Sequence, residues 1–388
     1  MKLANRINHL HYAIRDIVLE AKKIESQGME MTYLNIGDPC KYGYMPPQHI
    51  VDAIVQAFKE GKWHGYAPSE GDPELRKVIA NKEKLEDKDI FITSGLSEGI
   101  DFLFQALMNK GDNFLLPSPG YPLYNTKNDM YEGQQNFYLC DENNEPDVED
   151  MRKKINDKTK AIVVINPNNP TGKVYSYKTL NQIANLAGEY DIPIIADEIY
   201  DRLVFDAEFH SMVKFSKDVK IIRGSGLSKV FIFPGSRLGY LSFHGQGMDD
   251  LKQAIQKLSN ARLCINWEIQ RGAIAAYTQP YNITPILNKF REQRDTAYKI
   301  IKETDKLHTV KPEGAFYMFI KVNGKAPWQN STEMIKDMIK ETGVVAVPGS
   351  GFSPLINDLS FRIVFLPKKQ ELEESLEKVK HFINKKVE

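Results

Sequence analysis

The sequence predicts an α/β fold, a three-layer arrangement with a mostly parallel sheet, joined to a second, smaller α+β domain. Three observations carry this. Short apolar stretches alternate with segments of helical periodicity through residues 90–223, the pattern of strands joined by crossover helices. After Asp249 the alternation gives way to longer helices and a few further short strands. Finally, 388 residues are too many for one ordinary core, so two domains are the natural arrangement.

The elements follow in order. Leu10, Ala13, Ile14, Ile17, Val18 and Ala21 recur at helical spacing, with Gly28 as the stop signal. Residues 33–39 are extended and end in a turn. Residues 48–61 read as an amphipathic helix with Ile50, Ile54, Val55 and Phe58 on its apolar face. A turn-rich loop, residues 66–76, opens another helix. Strands are expected at 90–93, 113–116, 135–139, 160–165, 192–196 and 220–223, with helices at 97–108, 147–155 and 178–190 between them. A long helix over 284–303 follows, then strands at 315–321, 344–347 and 361–365, and a charged amphipathic helix closes the chain.

Composition excludes several function classes. Lys and Arg number 51, balanced by 51 Asp and Glu, so the net charge is zero and the basic footprint of a nucleic-acid binder is missing. The three cysteines, Cys40, Cys140 and Cys264, are odd in number and lack metal-ligand spacing, which argues against a disulfide framework. The first ten residues lack the apolar core of a signal peptide, and no apolar run approaches the length of a membrane span. A soluble, cytoplasmic protein is expected.

One stretch concentrates the chemistry. Gly224-Ser-Gly-Leu-Ser-Lys229 follows a strand, and Arg237 stands eight residues beyond the lysine. A lysine among hydroxyls with an arginine nearby suits a cofactor bearing both an aldehyde and a phosphate. The amine forms a Schiff base when its pKa is lowered, and neighbouring cations and desolvation both act that way. Ser225, Ser228 and Arg237 would then hold the phosphate, the arginine through a bidentate fork.

Ligands of open α/β sheets bind outside the carboxyl ends of the strands, and polar residues collect there. After residue 93 come Ser94-Gly95-Leu96-Ser97, a helix N-terminus suited to an anion. After residue 116 comes a proline-stiffened loop in which Tyr121 would cover a flat ring. After residue 165 comes Asn166-Pro-Asn-Asn169-Pro-Thr-Gly172, whose amide side chains would donate to a phenolic oxygen. After residue 196 come Asp197 and, three residues on, Tyr200. An acid behind an apolar strand is costly to bury without a partner, and a protonated pyridine nitrogen would be one. Each is ordinary loop chemistry alone. Four in succession, closed by Lys229 and Arg237, point to one site.

Together with Asn35-Ile-Gly-Asp-Pro39, Tyr66 with Gly71, Gly226-Leu-Ser-Lys229, Arg237-Leu-Gly-Tyr240, Arg262-Leu-Cys264, Gly314-Ala-Phe-Tyr317 and Phe361-Arg362-Ile-Val-Phe-Leu-Pro367, these segments resemble the class I/II aminotransferases. The family has pyridoxal-phosphate fold type I, and the likeness is strongest to its alanine aminotransferase-like branch. The resemblance covers nearly the whole chain. It implies an N-terminal arm and part of the small domain in residues 1–45, a large cofactor-binding domain in 46–280, and a small domain in 281–388.

It further implies pyridoxal 5'-phosphate as cofactor and ping-pong amino transfer between an L-amino acid and a 2-oxo acid, with alanine, glutamate, pyruvate and 2-oxoglutarate favoured. Lys229 would be the Schiff-base lysine and proton carrier, and Asp197 would keep the pyridine nitrogen protonated. Asn169 and Tyr200 would hold the phenolic oxygen, and Tyr121 would stack on the ring. The amides of Leu96 and Ser97, with Ser228 and Arg237, would hold the phosphate. Tyr66 would reach the phosphate in the other subunit of a homodimer with shared active sites. Arg362 would fork the substrate α-carboxylate, helped by the Gly37 backbone and Asn169. Neither nucleic acid nor membrane is an expected partner.

The chain also departs from the family pattern. Gly226 replaces a hydroxyl residue often found there, with Ser225 one place earlier, and Trp267 stands where a small turn is common. Trp267 either narrows the substrate pocket or packs in the core. Dicarboxylate-specific members of the family use a second arginine, from the partner subunit, for the distal carboxylate, and Arg15, Arg262 and Arg271 are the candidates for it. Aspartate or aromatic specificity, or a carbon–sulfur β-lyase of the same fold, are the alternatives.

Overall fold

The computed structural model describes residues 1, 3, 4, 7 and 13–388, with side chains of the first helix from Ile17 onward. That helix runs Ala13–Glu25 and buries Ile17 and Ala21. Leu10 and the side chains of Ala13, Ile14 and Arg15 lie outside the described residues.

The strands, in chain order, are β1 (Thr32–Tyr33), β2 (Ile90–Ser94), β3 (Asn113–Ser118), β4 (Phe137–Leu139), β5 (Thr159–Ile165), β6 (Ile194–Asp197), β7 (Ile221–Gly226), β8 (Leu238–His244), β9 (Leu307–His308), β10 (Tyr317–Val322), β11 (Val344–Val345), β12 (Val347–Pro348) and β13 (Ser360–Val364). Seven form one sheet in the order β2-β8-β7-β6-β5-β3-β4. All its pairings are parallel except those of β8, which runs antiparallel to both β2 and β7. The expected α/β architecture with a mostly parallel sheet is therefore the observed one. The central strands are buried almost throughout, as a sheet covered on both faces requires, with β5 and β6 mainly apolar and β7 carrying the buried Arg223.

A second, antiparallel sheet has the order β12-β13-β10-β9, and β1 pairs in parallel with β11, bringing the early chain onto the late one. The expected strand over 344–347 is thus two short strands in different sheets.

The helix Gln48–Glu60 forms as expected, stopped by Gly61 in the left-handed region, but its faces differ from expectation. Ile50, Ile54 and Ala57 are buried, whereas Val55 is 45 % and Phe58 50 % exposed. The i, i+4, i+7 stripe is the one against the body of the protein, and Val55 and Phe58 point away from it. The proline-rich loop after β3 also differs, because it becomes the helix Pro122–Met130 with its proline at the first helical position.

Candidate active site

The register of the sheet gathers the site. Ile165, Asp197 and Gly224 are neighbouring Cα partners at the carboxyl ends of β5, β6 and β7. The loops leaving these three strands therefore start level with one another. On the far side, Ser94 at the end of β2 pairs with Leu238 at the start of β8, which brings Arg237 beside the helix Gly95–Leu107. A cavity of about 550 Å³ lies over these ends.

Lys229 is in that cavity, and its Nζ donates to the Gly37 carbonyl at 2.8 Å. Gly37 is confined there, since a Cβ would overlap the Tyr317 hydroxyl. Burial is the main force that brings the lysine down from its ordinary value to about 8. Asp38 opposes the shift, Arg362 and Arg237 reinforce it, and Asp197 opposes it. Across the cavity, burial pushes the Asp197 carboxyl up to about 6, against the pull of the Ile199 amide and the Tyr124 hydroxyl. The amide donates at 3.4 Å and the hydroxyl at 3.3 Å. Tyr124 is fully enclosed and was not singled out from the sequence, where it reads as one more aromatic of a proline-rich turn.

Each asparagine of the 166–172 loop has its own duty. Asn166 accepts from the Tyr175 amide, and Asn168 accepts from the amide and hydroxyl of Thr171. These bonds stiffen the loop, so only Asn169 faces the cavity. Its Oδ1 accepts from Nη1 of Arg362 at 3.1 Å. Arg362, buried on β13, also donates through Nη2 to the Asn35 carbonyl and lies 4.5 Å from the Tyr317 ring centroid. A guanidinium carried by the smaller sheet is thereby clamped against a loop of the larger one. Tyr200 meets Tyr317 hydroxyl to hydroxyl at 2.9 Å, and Tyr121 caps the start of its helix at the cavity wall.

Leu96, Ser97, Ser228 and Arg237 line the other end. Arg237 adopts φ +46, a left-handed conformation that is costly for a non-glycine residue. Its guanidinium donates to the carbonyls of Pro234 and Ser94, and Gly95 has no room for a Cβ beside it. A cation next to a helix N-terminus adds positive charge to positive potential. No carboxylate pairs with Arg237 among the described residues. Such a corner calls for an anion, and a phosphate fits the donor set.

One expectation changes, and two open choices narrow. Ser225 does not line this cavity: the alternation along β7 turns it toward a separate space of about 130 Å³ beside Val230 and Tyr277. Trp267 is a packed residue, donating to Asp72 at 3.0 Å and lying 5.1 Å from the Trp63 ring. Arg271 pairs with Asp72 and Glu74, and Arg262 donates to the carbonyls of Ser69 and Ile92, so neither lines the cavity of its own subunit. Tyr66, expected to act in the other subunit, is 81 % exposed and outside its own cavity.

The model of the family "Aminotransferase class I and II" matches residues 30–379. The chain belongs to this family. It is an aminotransferase of the fold the sequence predicts. The glutamate-pyruvate aminotransferase AlaA of Escherichia coli (strain K12) is 34 % identical, over 98 % of this chain and 97 % of that protein. The probable aspartate aminotransferase of Methanocaldococcus jannaschii is 33 % identical, over 88 % of this chain and 91 % of that protein. Among solved structures, the alanine aminotransferase from Pyrococcus furiosus superposes with a TM-score of 0.96 at 41 % identity, covering 99 % of this chain and 100 % of that one. Among the described residues, no helix is long and apolar enough to cross a membrane and no side-chain cluster is suited to a metal.

Proposed function

We propose that this aminotransferase uses pyridoxal 5'-phosphate to exchange the amino group between alanine or glutamate and the matching 2-oxo acids. The observation that carries the reading is the facing pair in one cavity: a lysine brought down to about 8 and a buried carboxyl brought up to about 6. Bound there, the cofactor supplies an aldehyde that exchanges amines and a ring that spreads the charge left when the α-proton departs.

The protein's own groups do the rest. Lys229 anchors the aldehyde and then carries the proton to and from the substrate Cα. Asp197 holds the proton of the ring nitrogen, and Asn169 and Tyr200 hold the phenolic oxygen. Tyr121 covers the ring. The amides of Leu96 and Ser97, with Ser228 and Arg237, take the phosphate. Arg362 forks the α-carboxylate with Asn169 and the Gly37 backbone beside it. Arg362 is already fixed by its bonds to Asn169 and Asn35, so little ordering is needed when a substrate binds.

The site is completed in a homodimer, with Tyr66 reaching the phosphate bound to the other subunit. The exposure of Met45, Val55, Phe58 and Tyr66 within residues 45–66 supports this, because several large apolar side chains left in water along one stretch of chain suit a surface that a partner covers. The domain division at about residues 45 and 280 and a cytoplasmic location belong to the same reading.

A donor panel with 2-oxoglutarate as common acceptor tests the substrate. Alanine is expected to exceed aspartate and phenylalanine in kcat/KM. An aspartate preference above roughly tenfold, about 1.4 kcal/mol in transition-state binding, would refute the alanine reading while leaving the aminotransferase assignment intact. Release of pyruvate and ammonia with no acceptor present would mark a β-lyase instead.

A further inference from the structure

An enzyme that accepts both alanine and glutamate must hold a second carboxylate for one substrate and nothing for the other. Arg362 serves the α-carboxylate common to both. The remaining cations lining the cavity are Lys229, Arg237 and Lys41. The first two are committed to the aldehyde and the phosphate. Lys41 is left.

Lys41 is carried by the short 3₁₀ turn Pro39–Tyr42, three residues after Asp38 and four after Gly37, whose carbonyl receives Lys229. The turn itself is firmly held. Asp38 accepts from the Cys40 amide at 3.1 Å, Cys40 Sγ contacts the Ile232 carbonyl at 3.2 Å, and the Tyr42 hydroxyl donates to the Tyr33 carbonyl at 2.5 Å. The Lys41 side chain is exposed, and no carboxylate lies within 4.0 Å of its ammonium among the described residues. The one acid beside it in the lining, Asp38, is engaged in capping the turn.

We propose that Lys41 is the specificity residue that reads the distal carboxylate of glutamate and 2-oxoglutarate. The proposal rests on the cavity being the amino-acid site described above. A lysine suits dual specificity better than a fixed arginine would. Its charge is a point on a flexible stem. With glutamate bound, the ammonium folds in to meet the carboxylate. With alanine bound, it stays in water and leaves no buried cation unpaired.

The test compares half-reactions of the holoenzyme with glutamate and with alanine, each donor supplied without acceptor. In Lys41→Met the glutamate-to-alanine ratio of kcat/KM is expected to fall about five- to tenfold, as for an ion pair at the mouth of a site. Lys41→Glu should lower it further and Lys41→Arg should restore most of it. Glutarate should lose affinity for Lys41→Met more than butyrate does. In the unmodified protein, added salt should raise KM for glutamate more than for alanine. A ratio that stays within about twofold of the original in both Lys41→Met and Lys41→Glu overturns the proposal, as does an equal loss with both donors. No reaction of the unmodified holoenzyme with either donor would instead overturn the alanine–glutamate reading beneath it.

Discussion

Two groups of buried charge lie along β6 and β7, and they differ in their partners, one having charged partners at short range and the other only uncharged ones. In the first, Arg223 on β7 donates to Glu198, Glu83 and Asp201, at 2.6–2.7 Å in each case, and to the Tyr240 hydroxyl. Glu198 also accepts from the Ser211 hydroxyl and the Met212 amide. Burial works against the Glu83 charge, but Arg223, Lys82 and Tyr240 outweigh it and hold the carboxyl below its usual range, whereas at the fully enclosed Glu198 burial outweighs Arg223 and the carboxyl is pushed up. In the second group, Asp197 and Lys229 are one residue from Glu198 and six from Arg223. Yet they have only weak or uncharged partners, and burial moves both toward neutrality. Neighbours in the chain thus divide into a closed network and an open one. The closed network supports the strands. The open one is left for a ligand to complete, which is how a site keeps reactive groups poised.

The sharpest test of this contrast is Lys229→Ala. Turnover should vanish while the fold persists, since the lysine is an electrostatic burden in the native state. Multiple turnovers at a sizeable fraction of the original rate would end the assignment. The linkage has a definite sign. Lys229 binds its proton more weakly folded, at about 8, than unfolded, at 10.5. The unfolded chain therefore holds more protons between those values, and stability of the cofactor-free protein should rise with pH across that window. Lys229→Ala should flatten the rise, which denaturant titrations at pH 7.5 and 10 would show.

Arg223→Met probes the other group. It strands three carboxylates around a buried position, and loss of one partner from such a pair typically costs about 3–5 kcal/mol. Urea unfolding should show a loss of that size, and adding Glu198→Gln should return part of it. A loss below about 1 kcal/mol would mean that the network is not what steadies the strands.

Arg362→Lys comes next. It keeps the charge but loses the planar fork, and hydrogen bonds to charged groups are worth roughly 1.5–3 kcal/mol. Apparent dissociation constants for every amino and 2-oxo acid should rise about 10- to 100-fold together. A change confined to one substrate would point to side-chain recognition instead.

Tyr124→Phe should have the smallest effect. It removes one long hydroxyl-to-carboxylate hydrogen bond, at 3.3 Å, worth about 1.5 kcal/mol at the weak end for bonds to charged groups, leaving Asp197 easier to protonate. Single-turnover α-proton removal should slow by up to roughly tenfold, with the acidic limb of its pH profile displaced upward. A drop in thermal stability with no displaced limb would give Tyr124 a packing role only.

What the sequence determined by itself is the set of groups attached to strand ends. The turn leading to Leu96 and Ser97, the loop holding Asn169, the acid at Asp197 and the lysine at 229 each follow an apolar run, so local pattern and the rule for open sheets place them together. Several features depend on contacts across long stretches of chain. β8 carries an ordinary apolar pattern, and only its insertion between β2 and β7 reveals that it is antiparallel and that it delivers Arg237 to a helix N-terminus. The exposure of Val55 and Phe58 shows which of two apolar stripes the body of the protein covers. Tyr124, read as a turn aromatic, lies 73 residues from the acid it contacts. Arg362 lies 193 residues from Asn169. Lys41 carries no motif at all. Periodicity reports which way a residue faces within its own element, whereas the company it keeps is decided when elements pack, by burial and by the pairing of charge.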